Sequence, residues 1–132
     1  MTHPPTEVGG VFLATHNVPR LVKWYQDLGM LVEADGSALD EGKAAGGAPA
    51  LVFSIQKATG ELPGAGGDLR EEPYGMQRLT LNLRVADLDA VLADLRKRDI
   101  AVAGPREDGY GRFAWVKDPD GNVIELWQAA KP

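Results

Sequence analysis

Two stretches of the chain, 70 residues apart, repeat one pattern of apolar spacing, and this repeat constrains the fold more than any other feature. In the first, Val11 to Thr15 reads as a buried strand, Asn17 as a helix N-cap, and Pro19 as a residue tolerated in the first helical turn. His16 reads as the residue that leads into this helix. Val18, Leu21, Val22, Tyr25 and Leu28 then form one apolar helical stripe, which Gly29 ends. In the second stretch, Leu79 to Val85 reads as a strand, Asp87 as an N-cap, and Leu88, Val91, Leu92 and Leu95 as a stripe. Adding 70 to positions 17, 18, 21, 22 and 25 gives 87, 88, 91, 92 and 95. Lys97 and Arg98 close this helix at the negative end of its dipole. The repeat lies in spacing rather than in residue identity.

After each helix the chain reads as strand. In the first half, Met30 to Ala34 predicts a strand, and residues 35–49 a turn, a weak strand and another turn. Ala50 to Gln56 predicts a strong strand. In the second half come a short strand, Ile100 to Ala103, a Gly-rich turn, and then a hairpin. Its turn, Asp118-Pro119-Asp120-Gly121-Asn122, is made almost wholly of turn residues between two apolar, β-branched and aromatic runs. Tyr110 and Arg112 fall in turn segments and, with Tyr74, are candidates for a lid.

The pattern is therefore β-α-β-β-β twice: a first module over residues 9–57, a connector over 58–78 and a second module over 79–128, within one α+β domain. One helix covers one face of each sheet. A second copy is the economical cover for the other, and the concave surface so formed is where a ligand would go. A net charge of −5 argues against a nucleic-acid partner and mildly favours cationic or neutral ligands. There is no Cys, which excludes disulfides and thiolate metal sites. Neither a signal peptide nor a membrane-length apolar run is visible, so a cytoplasmic location is expected.

The run Trp115 to Leu126, with the strand–helix openings Val11 to Gly29 and Leu79 to Leu95, resembles the vicinal oxygen chelate superfamily. That superfamily includes glyoxalase I, extradiol dioxygenases, and fosfomycin- and bleomycin-resistance proteins. The resemblance implies paired βαβββ modules forming a cupped mixed sheet with helices outside, commonly in a homodimer. In the enzymes it also implies a divalent metal held by inner-face side chains. Carried over singly, those ligand positions fall on Gly10, Thr80 and Glu125, with a fourth near Ser54 or Gln56. Glu125 alone is a usual ligand. Glycine supplies no donor and a threonine hydroxyl is weak, so no cofactor is expected. His3, in the lead-in, and His16, ~20 Å of strand from Gly10, do not replace the missing imidazoles.

Alternation along the strands gives the expected cleft lining: Phe12, Thr80, Asn82, Arg84, Phe113, Trp115, Glu125 and Trp127. Aromatic rings around one carboxylate suit an organic ligand with planar area and a cationic or hydrogen-bonding group. The same tryptophans also suit a core or a dimer interface, and Glu125 is open either to a ligand or to an ion pair with Arg84. Three functions are compatible with this lining. They are metal-free binding of a small organic molecule, as in bleomycin-resistance proteins; a metal-dependent lyase, isomerase or dioxygenase; and a non-catalytic interaction or stress module.

Overall fold

The structure, a computed structural model, describes residues 6, 8–39, 51–62, 69 and 79–131. The readings of His3 and Tyr74, and most of the connector, lie outside the described residues. The chain divides into two compact units, residues 1–62 and 63–132.

The first unit runs β1 (Gly10–Thr15), α1 (Val18–Leu28), β2 (Ser37–Leu39) and β3 (Val52–Lys57). Asn17 caps α1, its Oδ1 accepting from the Arg20 amide at 3.1 Å, and Gly29 ends it in the left-handed conformation. Leu21, Val22 and Tyr25 are buried, and the Tyr25 ring meets that of Phe53 of β3 at 6.0 Å between centroids. The sheet order is β1-β3-β2, with β1 parallel to β3 and β2 antiparallel to it.

The strand expected at Met30 to Ala34 does not form. The Met30 amide donates to Tyr25 and the Val32 amide donates back to Met30, so the chain is still turning where a ladder would begin. The Glu33 amide donates to the Ser37 carbonyl at 2.8 Å, closing a tight turn around Gly36. Gly36 has φ of +94°, and a Cβ there would strike the Ile55 carbonyl, so that turn requires glycine.

The second unit runs β4 (Leu81–Arg84), α2 (Leu88–Lys97), β5 (Ala103–Asp108), β6 (Gly111–Lys117) and β7 (Val123–Ala129). Asp87 caps α2 as Asn17 caps α1, accepting from the Ala90 amide at 3.1 Å. The sheet order is β4-β7-β6-β5, with β4 parallel to β7 and the other pairs antiparallel. Leu88, Leu92 and Leu95 of α2 are buried, as are Ala114, Val116, Ile124 and Leu126 on the alternate positions of β6 and β7.

The expected strand at Ile100 to Ala103 instead begins at Ala103 and continues through the segment read as a Gly-rich turn. A register shift between Ala103 and Arg106 lets β5 pass Gly104-Pro105 and resume pairing with β6. The β6–β7 hairpin forms as expected. Asp118 is buried in its turn, and its Oδ1 accepts from the amides of Asp120 and Asn122, both at 2.9 Å. The repeated pattern thus gives an α+β fold of two helix-and-mixed-sheet units, with sheets of three and four strands. Among the described residues, no helix is long and apolar enough to cross a membrane.

Candidate functional site

The four-stranded sheet turns its alternate residues away from the helix-packed face, and strand register sorts them into two rows. Arg84, Trp127, Phe113 and Arg106 stand opposite one another across β4, β7, β6 and β5. One pleat step along, Asn82, Glu125, Trp115 and Ala103 do the same. The first row is cation, aromatic, aromatic, cation. The second is amide, carboxylate, indole, methyl.

Contacts within the rows arise from this register. Trp127 stacks on Phe113, ring centroids 6.4 Å apart and planes 12° from parallel. Its indole Nε1 donates to the Tyr110 carbonyl at 2.9 Å, which fixes the ring from the β5–β6 turn. The Arg84 guanidinium lies 6.0 Å from the Trp127 ring centre, and that of Arg106 lies 5.1 Å from Trp115, both within cation–π range. In the second row, Asn82 Nδ2 donates to Glu125 Oε2 at 2.7 Å, and Trp115 Nε1 donates to Oε1 at 3.2 Å. Each carboxylate oxygen is thus engaged by a neutral N–H donor. Half-buried Leu69 and Phe113 pack against the buried cluster of Ala103, Trp115 and Val123.

An open depression of about 400 Å³ lies on this face, lined by Arg106, Glu107, Asp108, Phe113, Trp115 and Glu125. That volume falls in the range of small-molecule sites. Three carboxylates to one guanidinium make it acidic, while the walls are aromatic.

Of the residues expected to line a cleft, Asn82, Arg84, Phe113, Trp115, Glu125 and Trp127 share this one face. Thr80 lies just before β4, two residues from Asn82, and is half-buried. Phe12 belongs to the first unit, where it pairs with Ser54 and is 62% exposed. The register places Asn82, not Arg84, opposite Glu125. Arg112 is no lid: it faces the helix side and pairs with Asp89 of α2 at 2.9 Å. The hydrogen bond and charge of Arg112 hold the Asp89 carboxyl below its ordinary range. His16 leads into α1 as read, its Nε2 2.7 Å from the Gly60 carbonyl.

Sequence reasoning missed Arg106, Glu107 and Asp108, because a run of Gly, Pro and charges reads as a turn. The available signal was Gly109 just before the apolar run of β6: the two-residue turn Gly109-Tyr110 implies a strand before it as well as after it, and Asp108 pairs with Gly111 across it. It missed Leu69 because the connector offers no periodicity.

The metal positions implied by the family do not fit a metal. Gly10 has no side chain, and a Cβ there would stand 2.9 Å from the Val52 carbonyl oxygen, closer than real structures allow. The Thr80 hydroxyl is a weak donor, which leaves Glu125 as one carboxylate where the family uses a set of strong ligands. Among the described residues, no three His, Cys, Asp or Glu side chains group as metal ligands would.

Comparison with known proteins agrees with the fold. No curated protein sequence matches the chain. Among solved structures, TnmS3, an antibiotic binding protein from Streptomyces sp. CB03234, is 25% identical with a TM-score of 0.61, covering 97% of this chain and 99% of its own. A bleomycin resistance determinant encoded on the transposon Tn5 is 18% identical with a TM-score of 0.60, covering 96% of this chain and 100% of its own. A glyoxylase/bleomycin resistance protein/dioxygenase domain from Frankia sp. EAN1pec is 17% identical with a TM-score of 0.56, covering 96% of this chain and 100% of its own. The sequence profile of the glyoxalase/bleomycin resistance protein/dioxygenase superfamily matches residues 8–126, and the chain belongs to that superfamily.

Proposed function

We propose that this protein is a metal-free binder of a small planar organic molecule, aromatic or cationic, held on the open face of the four-stranded sheet. The observation that carries this reading is the pair of cross-strand rows. They set Phe113, Trp115 and Trp127 beside a carboxylate already oriented by Asn82 and Trp115. Aromatic walls supply area with little rotamer entropy to lose, and the oriented carboxylate supplies direction. The likeness to an antibiotic binding protein at 25% identity supports a binding role. The donor set at Gly10, Thr80 and Glu125 supports a role without metal. Among the described residues β4 and β5 end their sheet with one edge unpaired, and the working form is proposed to be a homodimer; the proposed location is cytoplasmic.

The test is equilibrium titration of metal-stripped protein with two fluorescent probes of equal ring size, 9-aminoacridinium and neutral acridone. Micromolar binding of either is expected, unchanged by added Zn, Ni or Mn. The Glu125→Gln variant should weaken the cation by about tenfold or more, since a charge-assisted contact is lost. Binding of neither probe by the parent protein would contradict the reading. A dimer mass by light scattering is expected at tens of micromolar protein, and a monomer mass would rule the homodimer out.

A further inference from the structure

Trp115 is only 5% exposed, although it lines the depression. A ring so covered offers no face to a ligand until something lifts from it. Ala103 and Val123 are buried with it, and half-buried Phe113 and Leu69 pack against that cluster. The exposed Arg106 also lies over the ring, its guanidinium 5.1 Å from the ring centre. A guanidinium is flat, charged and weakly hydrated, and it stacks on indole as an aromatic cation would. Around it stand Glu107, Asp108 and Glu125, the remaining charged lining of the same depression.

We infer that Arg106 is an internal occupant of the pocket, a planar cation of the chain itself that a ligand must displace from Trp115. The inference rests on the proposed binding role of this site. It makes Arg106 a competitor that every ligand must displace, while Trp115 and the three carboxylates favour a cation. A neutral planar ligand that displaces the guanidinium gains the indole face but replaces one cation–π contact with ordinary stacking. A planar cation restores both the contact and the charge balance with the three carboxylates. The released Arg106 sits on an edge strand, beside Glu107 and Asp108 and with solvent on its outer side. The site should therefore select planar cations such as amidinium, guanidinium or protonated amino-aromatic groups, with Arg106 setting a floor that weak binders fail to pass.

Removing the occupant separates these contributions. In Arg106→Ala, 9-aminoacridinium should bind tighter by about two- to fivefold from release of the competing cation–π contact. Acridone gains the same release but not the relief from a neighbouring positive charge, so it should tighten less and the cation-to-neutral affinity ratio should rise. Arg106→Lys, which keeps the charge but loses the planar fork, should fall between parent and Arg106→Ala, and it serves where the alanine variant folds poorly. In the free protein, the Arg106 side-chain methylene protons should show upfield ring-current shifts that relax when 9-aminoacridinium is added. Unchanged or weaker binding of 9-aminoacridinium in both variants, with acridone still bound, would overturn the inference and leave the binding role standing. Failure of parent and variants to bind either probe would overturn both.

Discussion

The two units use one helix pattern on one side and different chemistry on the other. At equivalent places on their open faces, Phe12 pairs with Ser54 in the first unit and Asn82 pairs with Glu125 in the second. The first pair is a bare ring beside a hydroxyl. The second is an amide donating to a carboxylate. What the repeat preserves is therefore the packing that any helix on any such sheet needs, and what it leaves free is the opposite face, where we propose that the ligand binds. The helical sides differ too, but only by a rotation. Helix α1 buries Leu21, Val22 and Tyr25, whereas α2 buries Leu88, Leu92 and Leu95. Positions 22 and 92, and 25 and 95, correspond. The third buried residue has moved from one edge of the stripe to the other.

That rotation predicts the largest effects. Leu21→Ala and Leu88→Ala should each destabilise by about 3 kcal/mol, because each truncates a fully buried leucine. Their repeat partners, Val91→Ala and Val18→Ala, should each cost only about 1 kcal/mol, since both side chains are half-buried. Urea melts of the four variants check this. Equal costs at all four positions would mean that the two helices present the same face after all.

The caps should behave alike. Asn17 and Asp87 accept from the amide three residues on at the same distance, so Asn17→Ala and Asp87→Ala should each cost about 1 kcal/mol. A cost at one cap alone would break the correspondence between the units at its firmest point.

A smaller difference concerns acid. Asp89, in the first turn of α2, pairs with Arg112, and its repeat partner in α1 is Pro19, which has no charge. The hydrogen bond and charge of Arg112 lower the Asp89 pKa. A carboxyl depressed in the folded state contributes its stability fully above the ordinary carboxylate value. It loses that contribution as pH falls through the lowered value. In Asp89→Asn that contribution should be missing near neutrality and stability should fall less steeply with acid, so that variant and parent converge at low pH; the exposed pair makes the whole effect small. An unchanged acid limb would show that the pair contributes nothing to the folded state.

The strength of each signal explains what could be read in advance. The helix openings were legible because N-caps and stripes at 17–25 and 87–95 are local and periodic. Six of the eight residues assigned to the cleft share one face because alternation along β4, β6 and β7 is unbroken. Arg106 was hidden because the register shift after Ala103 resets that alternation, which no count along the chain reveals. The partner of Glu125 was equally hidden. Whether Asn82 or Arg84 stands opposite depends on the offset between two parallel strands that lie 43 residues apart, and no turn geometry fixes it. The missing strand after α1 was lost to a local turn in which Val32 bonds back to Met30, against an apolar run that favours extension.

The central claim, that the second unit and not the first carries the ligand face, is tested most directly by following backbone and indole NMR signals while 9-aminoacridinium is added. The expected result is a set of saturable shifts at Asn82, Phe113, Glu125 and the Trp115 indole N–H, with Phe12 and Ser54 unmoved. Shifts confined to Phe12, Ser54 and their neighbours, or no saturable shift in either unit, would contradict it.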